Sequence, residues 1–286
     1  MTARLRFLVA IGAACASVAA TLVAQAPVFV SRREVVRLDV LVSDRGRPVL
    51  GLTAADFKVL DNGVPQQVEF VGFDEVPLNV VLTFDASGSL EGQRFQELQA
   101  AGHAVLDELR KDDRAALVSF SEIVSIGPEL TGDVPRLRTM LGQSWTGGQT
   151  SLVDAAFAGL VIGTSDMGRS LLLVFSDGVD TASWLTAASA LDAAKRGDVV
   201  VIGVSAGRVR NPFLKDLADA TGGDLVEIRS TSDLRKTLVR LLTEHRQRYL
   251  VAYSPSGVAS GGWHKVDVSV AKRGATITTR PGYQRR

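Results

Sequence analysis

The run Leu78 to Phe84 (LNVVLTF) is short and almost wholly apolar, the pattern of a strand buried on both faces. Such a strand needs cover from above and below. The next segment supplies some of it: between Leu90 and Arg110, the residues Phe95, Leu98, Ala101, Val105, Leu106 and Leu109 recur at helical spacing. The alternation then repeats. Ala115 to Phe120, Ser170 to Phe175, Asp198 to Val204 and Leu225 to Ile228 read as strands. Val134 to Leu141, Ser151 to Ile162, Leu185 to Lys195, Pro212 to Ala220 and Ser232 to Arg248 read as helices. Buried strands separated by amphipathic helices predict an α/β fold with a doubly wound, mainly parallel sheet. A hydrophobic share of 46% with charges of both signs can bury a large core, which excludes a disordered or fibrous chain.

On either side of this region the period changes. From Glu34 to Ser43, Val36, Leu38, Val40 and Val42 lie on one face and Arg37, Asp39 and Ser43 mostly on the other, as in a half-buried strand. Asp44-Arg45-Gly46 turns the chain, and Asp61-Asn62-Gly63 joins Phe57 to Leu60 with Val64 to Phe70 as a hairpin. After Arg248, Tyr249 to Tyr253 is strand-like, Val266, Val268 and Val270 alternate with Asp267 and Ser269, and Lys272-Arg273-Gly274 leads into Ala275 to Thr279. The expected organisation is residues 27–76 as an N-terminal β segment, 77–248 as the α/β domain and 249–286 as a C-terminal β segment. The two β segments, of 50 and 38 residues, are each small for a sandwich. They are expected to pair into one accessory all-β sandwich into which the α/β domain is inserted, since the ends of inserted domains lie close together.

Residues 1–26 have a different character. Arg4 and Arg6 precede an uncharged run from Phe7 to Ala24, and Ala24-Gln25-Ala26 stands before Pro27, which is the layout of a secretory signal peptide cleaved after about Ala26. The alternative is an uncleaved N-terminal membrane anchor, because the run approaches the roughly 20 residues that a bilayer needs. No later stretch is long and apolar enough to span, so the mature chain is expected to be secreted or periplasmic without membrane insertion. Cleavage removes two arginines and Cys15, taking the net charge from +1 to −1 and leaving no cysteine. A near-neutral chain offers no basic field for nucleic acid, and its lone cysteine offers no disulfide framework.

Two of the three segments that carry chemistry stand at strand ends. Asp85-Ala86-Ser87-Gly88-Ser89 follows the first buried strand, where open α/β sheets form ligand sites, and it can present three oxygens to one point. Gly147-Gly148-Gln149-Thr150-Ser151 and Phe175-Ser176-Asp177-Gly178 follow later. Together these pieces resemble the von Willebrand factor type A domain, over roughly residues 76 to 248, and the chain is similar to bacterial secreted proteins of that family. Asp85, Ser87 and Ser89 stand for the D-x-S-x-S of its metal-ion-dependent adhesion site, Thr150 for its threonine and Asp177 for its later aspartate. Gln149 departs from the glycine common there. All five side chains are oxygen donors suited to a hard cation, so Mg²⁺ is favoured, with Mn²⁺ or Ca²⁺ as alternatives. The resemblance implies direct coordination by Ser87, Ser89 and Thr150, with Asp85 and Asp177 acting largely through water. It also implies a protein partner whose Asp or Glu carboxylate completes the shell, with no catalysis.

Trp145 and Trp184 bracket these loops, either as an apolar rim around the partner's carboxylate or as local packing. Asp154 is either an acceptor behind the Thr150 loop or an acid in the first turn of a helix. Asp85 and Asp177 have an alternative role as helix caps. Two rival functions stand beside cation-dependent binding. One is a structural scaffold that meets no ligand through a metal. The other is a serine hydrolase: Gly203-Val204-Ser205-Ala206-Gly207 matches G-x-S-x-G, with Asp224 or Asp233 and His245 or His264 following in order. Against it, Asn211-Pro212 marks the next helix start, too far from Ser205 for a nucleophile elbow.

Overall fold

A computed structural model describes residues 34–144, 146–165, 167–206 and 211–285. The expected signal peptide, Trp145 and Gly207 lie outside the described residues.

The apolar run becomes strand β6 (Leu78–Asp85), buried along its whole length at the centre of a six-stranded sheet. Its neighbours are β7 (Arg114–Phe120) on one side and β9 (Arg169–Ser176) on the other, both parallel to it. Beyond β9 lie β10 (Val200–Ala206) and β11 (Asp224–Ile228), also parallel, and beyond β7 lies a short antiparallel edge strand, β8 (Val124–Ile126). The two-residue period of β6 assigns its side chains. Leu78, Val80, Leu82 and Phe84 face a cluster shared with helices α1 (Gln93–Asp107), α2 (Val134–Gln143) and α6 (Leu234–Arg246). Val81 faces the opposite cluster, built with α3 (Leu152–Gly163), α4 (Ala187–Arg196) and α5 (Pro212–Thr221). Removing these apolar side chains from water stabilises both faces of the sheet.

The first helix starts later than its apolar pattern suggests. A 3₁₀ turn at Gly88–Leu90 and a left-handed Gly92 (φ 69°) intervene, so α1 begins at Gln93.

The flanking segments pair with each other. Strand β1 (Val36–Asp44) runs antiparallel to β12 (Tyr249–Tyr253) through its first half and to β14 (Thr276–Thr278) through its second. β2 (Arg47–Pro48) and β5 (Phe70–Gly72) complete this sheet. A second antiparallel sheet orders β15 (Gly282–Arg285), β13 (Gly262–Val270), β3 (Phe57–Asp61) and β4 (Val64–Gln66). Apolar residues of both sheets, among them Leu38, Val40, Val251, Val59 and Val266, form one cluster. The β3–β4 hairpin turns at Asn62 (φ 47°) and Gly63 (φ 81°), the left-handed pair that a two-residue turn requires. The single strand expected from Val64 to Phe70 is divided, β4 joining one sheet and β5 the other.

β1 differs from its half-buried pattern. Asp39, on its polar face, is buried, because arginines of the α/β part cover that face. Fully buried Arg169 donates to the carbonyls of Arg248 (2.5 Å), Arg246 (3.2 Å) and His245 (3.4 Å) and stands 3.9 Å from Asp39. Burial pushes the Asp39 carboxyl up to about 6, although Arg169 and Arg248 pull the other way. Arg280 donates to Gly197 O (2.6 Å) and Arg37 O (2.8 Å), adding a second buried tie. Among the described residues no helix is long and apolar enough to cross a membrane.

Candidate metal centre

The chain runs from β6 outward to β7 and β8, then crosses back to place β9 on the other side of β6. That reversal opens a crevice at the carboxyl ends of β6 and β9, where Asp85 and the Ser176-Asp177 pair emerge.

Asp85 is fully buried and held by neutral donors. Its Oδ1 accepts from the Ser87 amide at 2.9 Å and its Oδ2 from the Ser176 hydroxyl at 2.6 Å. Burial raises its affinity for a proton, the hydrogen bonds from Ser176 and Ser87 oppose this, and the charge of Asp177 adds to it. Ser87 Oγ stands 3.1 Å from Ser89 Oγ, and Ser89 Oγ donates to Asp177 Oδ1 at 2.7 Å. Neither aspartate caps a helix, since the N-caps of α1 and α4 are Gly92 and Thr186.

Thr150 arrives on a loop docked against these residues. Gly88 N donates to Gly148 O (3.2 Å), Gly147 N to Ala86 O (2.9 Å) and Ser151 N to Ser121 O (2.7 Å). Thr181 and Ala182 donate their amides to Thr150 O at 2.8 and 3.1 Å, and Thr181 Oγ1 accepts from Thr150 N at 3.0 Å. The Thr150 side chain is buried against the Asp177–Gly178 turn: a Cβ at Gly178 would lie 3.9 Å from Thr150 Oγ1. Asp154, in the first turn of α3, accepts from the amides of Trp184 and Leu185, both at 2.9 Å. It therefore anchors the loop that holds Thr150, not the Thr150 loop itself. Trp184 is 94% exposed, so it is not packed beneath that loop.

Ser176, Thr181 and Arg94 also reach this site, beyond the residues of the motif. Ser176 had one legible signal, a hydroxyl ending a doubly buried strand directly before Asp177. Arg94 Nη1 donates to Ser89 O at 3.3 Å and stands 3.7 Å from Asp177 Oδ2.

These donors fit a hard divalent cation. A buried carboxylate with neutral partners, a second carboxylate and three hydroxyls form an all-oxygen set. Among the described residues no group of three or more His, Cys, Asp or Glu side chains is placed to hold a metal, so the fit depends on the hydroxyls.

The family model for the von Willebrand factor type A domain matches residues 79–239, more than half of the chain and all five of these positions. The chain belongs to that family. Its fold is similar to a von Willebrand factor type A protein from Catenulispora acidiphila, with TM-score 0.53 and 14% identity over 90% of this chain and 74% of that one. It is similar also to proximal thread matrix protein 1 of the mussel byssus, solved with a zinc-occupied MIDAS motif, with TM-score 0.55 and 14% identity over 65% of this chain and 50% of that one. In sequence, the inter-alpha-trypsin inhibitor heavy chain H3 of Mesocricetus auratus is 25% identical over 120 residues, which is 37% of this chain and 14% of the relative. An uncharacterized protein of Synechocystis sp. is 35% identical over 51 residues, 18% of this chain and 12% of the relative. The chain thus spans a small part of the curated relatives and half of the mussel protein.

The hydrolase constellation does not assemble. Ser205 is buried in β10, whereas His245 lies at the carboxyl end of α6, where Arg169 at the opposite end of the sheet binds its carbonyl. Burial lowers the basicity of His245 well below the ordinary imidazole range, with Arg248 the largest charge contribution. His264 is committed in the other part of the molecule to Asp61 at 2.6 Å.

Proposed function

We propose that this is an exported, non-catalytic protein-binding module. In this proposal Asp85, Ser87, Ser89, Thr150 and Asp177 hold a divalent cation, Mg²⁺ by preference, which supplies a positive centre for an Asp or Glu carboxylate of a protein partner. The carrying observation is the hydrogen-bonded set Ser176–Asp85–Ser87–Ser89–Asp177 at the sheet's switch point, with Thr150 docked against it. Each residue has a defined task. Ser176 and the Ser87 amide orient the Asp85 carboxylate, and Ser89 can keep its proton on Asp177 while turning a lone pair to the cation. Asp154 and Thr181 hold the two outer loops in register. Exposed Trp184 offers apolar area to the flank of the incoming carboxylate. The flanking β segments act as an accessory sandwich, and residues 1–26 direct export.

Calorimetry tests the site. Wild type is expected to bind Mg²⁺ and Asp85→Ala to lose it; equal affinity in both would reject the site. Pull-downs from the native envelope fraction, with Mg²⁺ against chelator and Thr150→Ala as control, test the partner. Capture that ignores both chelator and Thr150→Ala would reject metal-bridged binding.

A further inference from the structure

We propose that Arg94 is a resident counter-charge that weakens cation binding, and so sets the cation concentration at which the site fills. This rests on the cation site proposed above. Arg94 is the second residue of α1, and its guanidinium reaches back over the Asp85–Ser89 loop to Ser89 O (3.3 Å) and toward Asp177 Oδ2 (3.7 Å). The other Asp177 oxygen already accepts from Ser89 Oγ at 2.7 Å. Among the described residues Asp177 therefore has one neutral and one cationic partner, whereas Asp85 has neutral partners only. The exposures are unequal: the Asp177 side chain is 9% exposed and that of Arg94 61%. A nearly covered carboxylate gains from a nearby positive charge, and an exposed arginine can supply one and still swing away.

A divalent ion seated among the five oxygens meets that guanidinium at close range, and like charges there oppose binding. Relief is available, because Glu91 and Glu97 line the same cleft as Arg94 and can receive the displaced side chain. Exposure and relief together keep the effect moderate, about threefold to tenfold in affinity. A charge effect of this kind is screened by salt; a steric effect is not.

The experiment is Mg²⁺ and Mn²⁺ calorimetry on the full chain, comparing wild type, Arg94→Gln, Arg94→Lys and Asp85→Ala at low and high NaCl, with thermal melts of the metal-free proteins. Arg94→Gln is expected to bind about threefold to tenfold more tightly at low salt, with the gain collapsing near 1 M, where the screening length is about 3 Å. Arg94→Lys should stay near wild type, and the metal-free melts should show all variants folded. If wild type binds and Arg94→Gln is unchanged or weaker, or tighter by a salt-independent factor, the counter-charge role is overturned and the site stands. If no variant binds either ion, wild type behaving like Asp85→Ala, the site and the Arg94 role fall together.

Discussion

Removing the Asp61 carboxylate should strongly destabilise the packing of the two antiparallel sheets. Asp61 ends β3 with no exposed surface and accepts from Tyr253 Oη at 3.0 Å, Tyr283 Oη at 2.8 Å and His264 Nδ1 at 2.6 Å. Tyr253 and His264 are completely covered and Tyr283 nearly so. Burial, helped by the Asp61 charge, pushes both phenols above their ordinary range, so they remain donors. Asp61→Ala strands three buried donors at about 1–3 kcal/mol each, less whatever water can recover, giving a loss of about 4 kcal/mol. For a chain of this size that lowers the melting temperature by roughly 8–16 °C. Tyr283→Phe removes one donor and leaves the carboxylate two, so it should cost about 1 kcal/mol. In the Asp61→Ala background the same change should cost nothing or recover stability, because that phenol has already lost its acceptor. Urea unfolding of the four proteins, followed by far-UV circular dichroism, measures all three values. If Asp61→Ala costs no more than Tyr283→Phe, or the two costs simply add, the network is not the shared acceptor described here.

Three further outcomes follow from other parts of the molecule. The Asp39 carboxyl is raised from its ordinary 3.8 to about 6, so the folded state holds that proton more tightly than the unfolded one. Its stabilisation is complete only below the unfolded value of 3.8 and is lost as pH rises through 6, and wild type should fall by about 3 kcal/mol relative to Asp39→Asn between pH 3 and 7; parallel stability curves would refute this. Gly223→Ala should unfold or severely destabilise the protein, since its Cβ would lie 1.7 Å from the Val201 carbonyl oxygen, a backbone atom that cannot yield. Gly142→Ala in α2, with nothing among the described residues within 4 Å, is the control and should gain about 0.5 kcal/mol in the same urea unfolding. Trp184→Ala should leave unfolding within about 0.5 kcal/mol of wild type but weaken Mg²⁺-dependent partner capture about tenfold, and unchanged capture would remove Trp184 from the binding surface.

Four of the five candidate oxygens were legible because Asp85, Ser87, Ser89 and Asp177 belong to short local patterns at the ends of apolar strands, and Thr150 because it sits in a glycine-rich loop before a helix. Leu78 to Phe84 announces its own double burial, so the position of Asp85 at a carboxyl end follows from neighbouring residues alone. Ser176, Thr181 and Arg94 were harder to see, since each acts on a residue distant in sequence: Ser176 on Asp85, Thr181 on Thr150, Arg94 on Asp177. The short strands β8 and β15 have too few residues to show a period.

The alternation of the longer strands and helices and their apolar faces are legible from neighbouring residues alone, because hydrophobic periodicity and turn chemistry are local properties. That β9 lies beside β6 and that Asp39 is buried depend on long-range packing. The physical reason lies in packing. A polar strand face reads identically whether it meets water or Arg169, and strand order depends on contacts between residues far apart in the chain, which no local period records.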